Sequence, residues 1–121
     1  MGNKSDLEKK VVFLLKNVGG IPPCERNYRK AIPGRRLEID FAWPDPYKTG
    51  IEVQGGIWLA KAGKSSGHIG AGQSRDFKKM NLFIENGWAV LQWSADMIRQ
   101  DPVFCIDQLK RVLKQRGYSE I

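Results

Sequence analysis

LEIDFAWPDPYKTGIEVQGG, residues Leu37 to Gly56, decides how the chain folds. Leu37, Ile39 and Phe41 alternate with Glu38, Asp40 and Ala42. After PDP, Ile51 and Val53 alternate with Glu52 and Gln54. Each run has the period of a strand with one apolar face, and the prolines predict a hairpin turn near Asp45-Pro46. In an antiparallel pair built this way Asp40 and Glu52 fall almost opposite, roughly 5–8 Å apart at Cβ if their faces match. Two ionised carboxylates so placed repel, and keeping them half-buried requires a cation or a proton. A hard divalent ion with oxygen ligands, Mg²⁺ above all, meets that requirement. The competing expectation is a solvated outer face that pairs with Arg35 and Arg36.

Working outward, Ser5 and Glu8 form a capping box. Leu7, Val11, Leu14, Leu15 and Val18 then repeat at helical spacing until Gly19-Gly20. Glu25 to Ile32 reads as a short basic strand, and Pro33-Gly34 turns the chain into the hairpin. Leu59 to Gly72 is rich in Gly and Ser and reads as a flexible loop. A helix is predicted over 73–86, with Phe77, Met80, Phe83 and Ile84 inward, then a strand in WAVLQW. A last helix, begun by Asp101-Pro102 and ending near Gly117, turns Ile106, Leu109, Val112 and Leu113 inward. The order α-β-β-β-α-β-α predicts an α/β fold, a mixed sheet flanked by helices. At 121 residues, one domain spans 1–121.

Twenty Lys and Arg against thirteen Asp and Glu give a net charge of +7, which points to a polyanionic partner, nucleic acid first. Arg26, Arg29, Lys30, Arg35 and Arg36 precede and enter the hairpin. Lys61, Lys64, Arg75, Lys78 and Lys79 surround the Gly/Ser loop. Two basic banks then flank an acidic centre, an arrangement suited to holding a phosphodiester. Cys24 and Cys105 are expected as free thiols in a reduced compartment, which suits a cytoplasmic protein. Val11 to Leu15 is too short to span a bilayer, so no membrane partner is expected. MGNKSD misses the myristoylation pattern at Asp6.

EID followed by IEVQGG, behind a helix carrying Glu8 and ahead of an α-β-α tail, resembles the PD-(D/E)xK nuclease superfamily over most of the chain. FAWPDPYKTGIEVQGGIW, a loop histidine, DFKKMN and GWAVLQWS are most similar to very-short-patch-repair-like and small phage-type endonucleases, and more distantly to Holliday-junction resolvases. The resemblance implies a restriction-endonuclease-like core and a metal-dependent DNA endonuclease that hydrolyses phosphodiester bonds, selective for branched or junction DNA. It implies that Asp40 and Glu52 ligate Mg²⁺, with Mn²⁺ as a substitute, that the Val53 carbonyl assists and that Glu8 completes the site, although the capping box claims Glu8 equally. Gln54 stands where the family carries its lysine; an amide orients water but brings no cation. Lys79, three residues after Asp76, supplies that cation or forms a surface ion pair with Asp76. His68 is a general base, a phosphate contact or a bystander. A resolvase needs two active sites and hence a homodimer, and Ile57, Trp58 and Leu59 offer a dimer surface, a wedge against DNA or core packing. The alternatives are a catalytically inactive DNA-binding module of the same fold, a mismatch-type nicking endonuclease and, third, an RNA-directed nuclease.

Overall fold

The computed structural model describes residues 3–54 and 66–120, with the backbone alone at 66–71 and 73. Helix α1 (Lys4–Asn17) is followed by strands β1 (Glu25–Tyr28), β2 (Ile39–Trp43) and β3 (Thr49–Gln54). Helix α2 (Ser66–Glu85), strand β4 (Ala89–Ser94) and helices α3 (Ala95–Gln100) and α4 (Pro102–Gln115) complete the chain. The four strands lie in chain order in one sheet. β1–β2 and β2–β3 are antiparallel and β3–β4 is parallel, because α2 carries the chain back across the sheet between β3 and β4. The protein is therefore α/β with a mixed four-stranded sheet flanked by helices.

Both faces of that sheet are covered. Phe41, Trp43, Ile51, Val53 and Trp93 pack with Leu7 and Val11 of α1, Ile98 of α3, and Cys105, Ile106, Leu109 and Leu113 of α4. Ile39, Ala42 and Trp88 pack with Phe83 of α2 and with Ala31 and Ile32. Every residue of β2 is buried as a result, and the expected solvated outer face does not exist. The expected single apolar face of Leu37, Ile39 and Phe41 is split: Leu37 and Ile39 join the core under α2, and Phe41 joins the core under α1 and α4.

Several local expectations change. Asn3, not Ser5, caps α1: its side chain accepts from the Asp6 N–H at 2.9 Å, and Asn is as effective there as Ser. Glu8 is thereby freed from a capping box. β1 stops at Tyr28, and a turn from Ile32 to Arg35, with Gly34 at φ 76°, leads into β2. Helix α2 begins at Ser66, so residues 66–72 are helical where a loop was expected; its glycines weaken helix formation by about 1 kcal/mol each without forbidding it. Phe77 and Ile84, expected inward, are 62% and 67% exposed, while Phe83 is buried and Met80 half-buried. The covered side of α2 runs through Met80 and Phe83, and Phe77 and Ile84, seven residues apart, share another side. The short helix α3 was not anticipated. Ser94 caps it by accepting from the Met97 N–H at 3.2 Å, directly at the end of β4, and Asp101-Pro102 then starts α4.

Gly50 fixes how closely the strands approach. A β-carbon there would lie 2.6 Å from Ile39 Cγ2 and 3.2 Å from the Phe41 carbonyl oxygen, and neither the packed methyl nor the ladder can withdraw freely. Gly50→Ala is expected to destabilise the fold by about 1–3 kcal/mol, read as a lower urea midpoint at unchanged slope.

Candidate functional site

The β2–β3 ladder pairs Trp43 with Thr49, Ala42 with Gly50 and Phe41 with Ile51. One residue further on stand Asp40 and Glu52, and there side chains replace the backbone as partners. The Asp40 N–H donates to Glu52 Oε2 at 3.0 Å, and the Val53 N–H donates to Asp40 Oδ2 at 2.8 Å. Each acid thus satisfies an amide beside the other. Their residual exposures are 1% for Asp40 and 6% for Glu52.

Two lysines balance these charges. Lys79 Nζ, from the middle of α2, lies 2.8 Å from Glu52 Oε1 and 5.9 Å from the centroid of the Phe83 ring. Lys4 Nζ, from the first residue of α1, lies 3.2 Å from Asp40 Oδ2. The expected Lys79–Asp76 surface pair gives way to the contact with Glu52 because position 79 turns toward the sheet with Met80 and Phe83. Lys4 is the residue that sequence reasoning missed: a lysine in a helical first turn carries no pattern, and only packing brings α1 against β2.

The other anticipated residues distribute as follows. Glu8 Oε1 accepts from Arg26 Nη2 at 2.5 Å, and Arg26 Nε also reaches the Asp40 carbonyl at 3.4 Å while its guanidinium lies 4.3 Å from the Phe41 ring centroid. Arg26 therefore ties α1 to β2, with its side chain still 40% exposed. Arg29 binds Glu38 through two nitrogens. Gln54 Nε2 donates to Gln92 Oε1 at 3.3 Å, so its amide is held by β4. The Val53 N–H donates to Asp40, a contact separate from the part expected of the Val53 carbonyl toward a metal. Lys30, Arg35, Arg36, Arg75 and Lys78 are exposed. His68 has its backbone in the first turn of α2, and its side chain lies outside the described residues. Lys61, Lys64, Ile57, Trp58 and Leu59 also lie outside them. Both cysteines are free thiols, Cys24 half-buried and Cys105 buried. Among the described residues, no three His, Cys, Asp or Glu side chains gather as a metal-holding group, and no helix is long and apolar enough to cross a membrane.

Burial raises the proton affinity of Glu52; the hydrogen bond from Lys79 opposes this and the charge of Asp40 adds to it, with a net upward shift. For Lys4, burial lowers the proton affinity, but the carboxylates of Asp40, Glu52 and Glu8 more than offset it, so the ammonium is held more firmly than usual.

Comparison with protein-family models, with curated proteins and with solved structures finds no match for this chain. The geometry alone therefore bears on function: two buried acids in reciprocal contact with backbone amides, each with one lysine.

A carboxyl whose proton affinity is higher in the folded state favours folding most below its unfolded-state pKa, and that contribution is lost as pH rises through the folded-state value. Ionised Glu52 is accordingly a net burden at neutral pH. Glu52→Gln keeps an oxygen for the Asp40 N–H but sets an N–H₂ donor where Glu52 Oε1 accepts from Lys79, a loss that is present at every pH. Its stability relative to wild type should therefore improve as pH rises from the acid range to neutrality, as urea titrations across a pH series will report.

Proposed function

We propose that this chain is a metal-dependent DNA endonuclease of the PD-(D/E)xK kind, its mixed sheet forming a restriction-endonuclease-like core, and that it acts on branched or junction DNA as a homodimer. The observation that carries this reading is the contact of Lys79 with Glu52 beside Asp40. A cation from α2 stands at the acid pair, although Gln54 occupies the position where the family carries lysine.

The donor set suits Mg²⁺. Asp40 and Glu52 offer hard oxygen atoms from neighbouring strands, and this ion characteristically takes one or two carboxylates and fills its remaining positions with water and substrate phosphate. The engagement of Glu8 by Arg26 is compatible with that demand. When bound, such an ion polarises the scissile phosphate and lowers the pKa of a coordinated water. Asp40 and Glu52 would hold it, and Lys79, 2.8 Å from Glu52 Oε1, would offset negative charge growing on a phosphate bound there. Lys30, Arg35, Arg36, Arg75 and Lys78 contact the backbone of the nucleic acid. The small chain leaves little surface for reading base edges, which favours DNA shape as the cue.

A DNA-binding module without catalysis is the second reading, favoured by the Gln54–Gln92 hydrogen bond, which ties up the amide at the family's lysine position. Incubating duplex, mismatched, flapped and four-way-junction DNA with Mg²⁺ or Mn²⁺ separates the two. The nuclease cleaves at least one of these, stops in EDTA, loses cleavage in Glu52→Gln and slows by roughly a hundredfold or more in Lys79→Ala. Salt-sensitive binding with no nicking under any metal establishes the module instead.

DNA affinity should fall linearly with log salt. Replacing Arg35 and Arg36 together by Ala should reduce the magnitude of the slope by roughly 2, about 0.9 for each phosphate no longer neutralised. A slope unchanged in fluorescence-anisotropy titrations removes this turn from the interface.

A further inference from the structure

Counting charges at the acid pair exposes a conflict. Asp40 and Glu52 are matched by Lys4 and Lys79, so the cluster is neutral as it stands. A divalent cation entering between the carboxylates adds two positive charges, and withdrawal of one ammonium lowers the resulting excess from two to one.

The two lysines are not equally placed to do so. Lys79 sits within a 20-residue helix, 2.8 Å from Glu52, with its side chain 27% exposed and its ammonium over the Phe83 ring. Lys4 is the first residue of α1, 3.2 Å from Asp40 Oδ2, with its side chain 48% exposed. Releasing Lys4 leaves the helix cap intact, because Asn3 and Asp6 make that contact, and it returns a flexible side chain to water. Asp40, 1% exposed, has no such freedom.

We propose that Lys4 is a resident counter-ion which holds the cation position of Asp40 and competes with divalent metal for it. This rests on the metal-dependent reading above and adds a regulatory element to the same site. The terminal turn of α1 balances the charge of metal-free Asp40, sets metal affinity below what the two carboxylates alone would provide, and frees an ammonium beside the site when the ion arrives. A phosphodiester is a fitting new partner for that ammonium, so metal and phosphate each favour the state in which Lys4 has left Asp40.

The test is Mn²⁺ binding without DNA, followed by the electron paramagnetic resonance signal of free Mn²⁺. Wild type is compared with Lys4→Ala, with Lys4→Gln and with Lys16→Ala. The last removes one charge from the exposed far end of the same helix. Lys4→Gln keeps most of the stem and loses the charge, which separates electrostatic competition from vacated space. Both Lys4 variants should bind Mn²⁺ roughly tenfold tighter than wild type, and Lys16→Ala should stay within about twofold. Binding in the Lys4 variants alone supports the proposal equally. Tightening no greater than that of Lys16→Ala, or weaker binding, overturns it while leaving the metal-dependent reading in place. No binding by wild type or by any variant also overturns it, while the metal-dependent reading stands or falls on cleavage in Mg²⁺ or Mn²⁺ and its loss in EDTA.

Discussion

Everything at the acidic end of the sheet depends on one exchange, in which Glu52 accepts from the Asp40 amide and Asp40 accepts from the Val53 amide. At this point β2 and β3 cease to pair through their backbones, and two N–H groups would otherwise be buried without acceptors. Carboxylates are the strongest acceptors available, so the ladder is continued by side chains. The same bonds explain why acids tolerate this burial. Each has backbone donors fixed in place, and the remaining charge is met by one ammonium from α1 and one from α2. Those helices cover opposite faces of the sheet, so the cations converge on the acids from two sides.

Much of this architecture was legible in residues 37–56. The period-2 runs and the PDP turn located the hairpin, and counting from the turn set Asp40 beside Glu52, one step past the paired Phe41 and Ile51. The element order, the mixed sheet with a helix between its last two strands, and the final amphipathic helix also follow from periodicity, while the parallel pairing of β3 with β4 comes from the structure. What periodicity could not supply was depth. Alternation of apolar with acidic residues describes a one-sided strand and a two-sided strand with a polar site equally well, and only the packing of α2 over Ala42 distinguishes them. Phe77 was misplaced for a related reason: an apolar residue on a helix marks a face only if the opposite face is settled. Glycine content hid the first turns of α2, and Lys4 had no local signature at all.

The positive charge of the chain is partly spent internally. Arg26 links Glu8, the Asp40 carbonyl and the Phe41 ring, and Arg29 binds Glu38. At the opposite end Arg116, just after α4, donates to the carbonyls of Tyr47 and Gly87, pinning that helix to the hairpin turn and to the entry of β4. These guanidiniums act as multidentate connectors between elements, a task for which their planar fork of donors is suited. A count of Lys and Arg therefore overstates what the surface presents to a polyanion.

The crossover through α2 also dictates an order of assembly. Asp40 and Glu52 are 12 residues apart and Lys4 precedes both, but Lys79 follows Glu52 by 27 residues. A nascent chain can close the hairpin before α2 has emerged, and at that stage Glu52 faces Asp40 with half of the neutralising charge still unsynthesised. Vectorial folding thus reaches its electrostatically balanced centre only when the second half of the polypeptide docks.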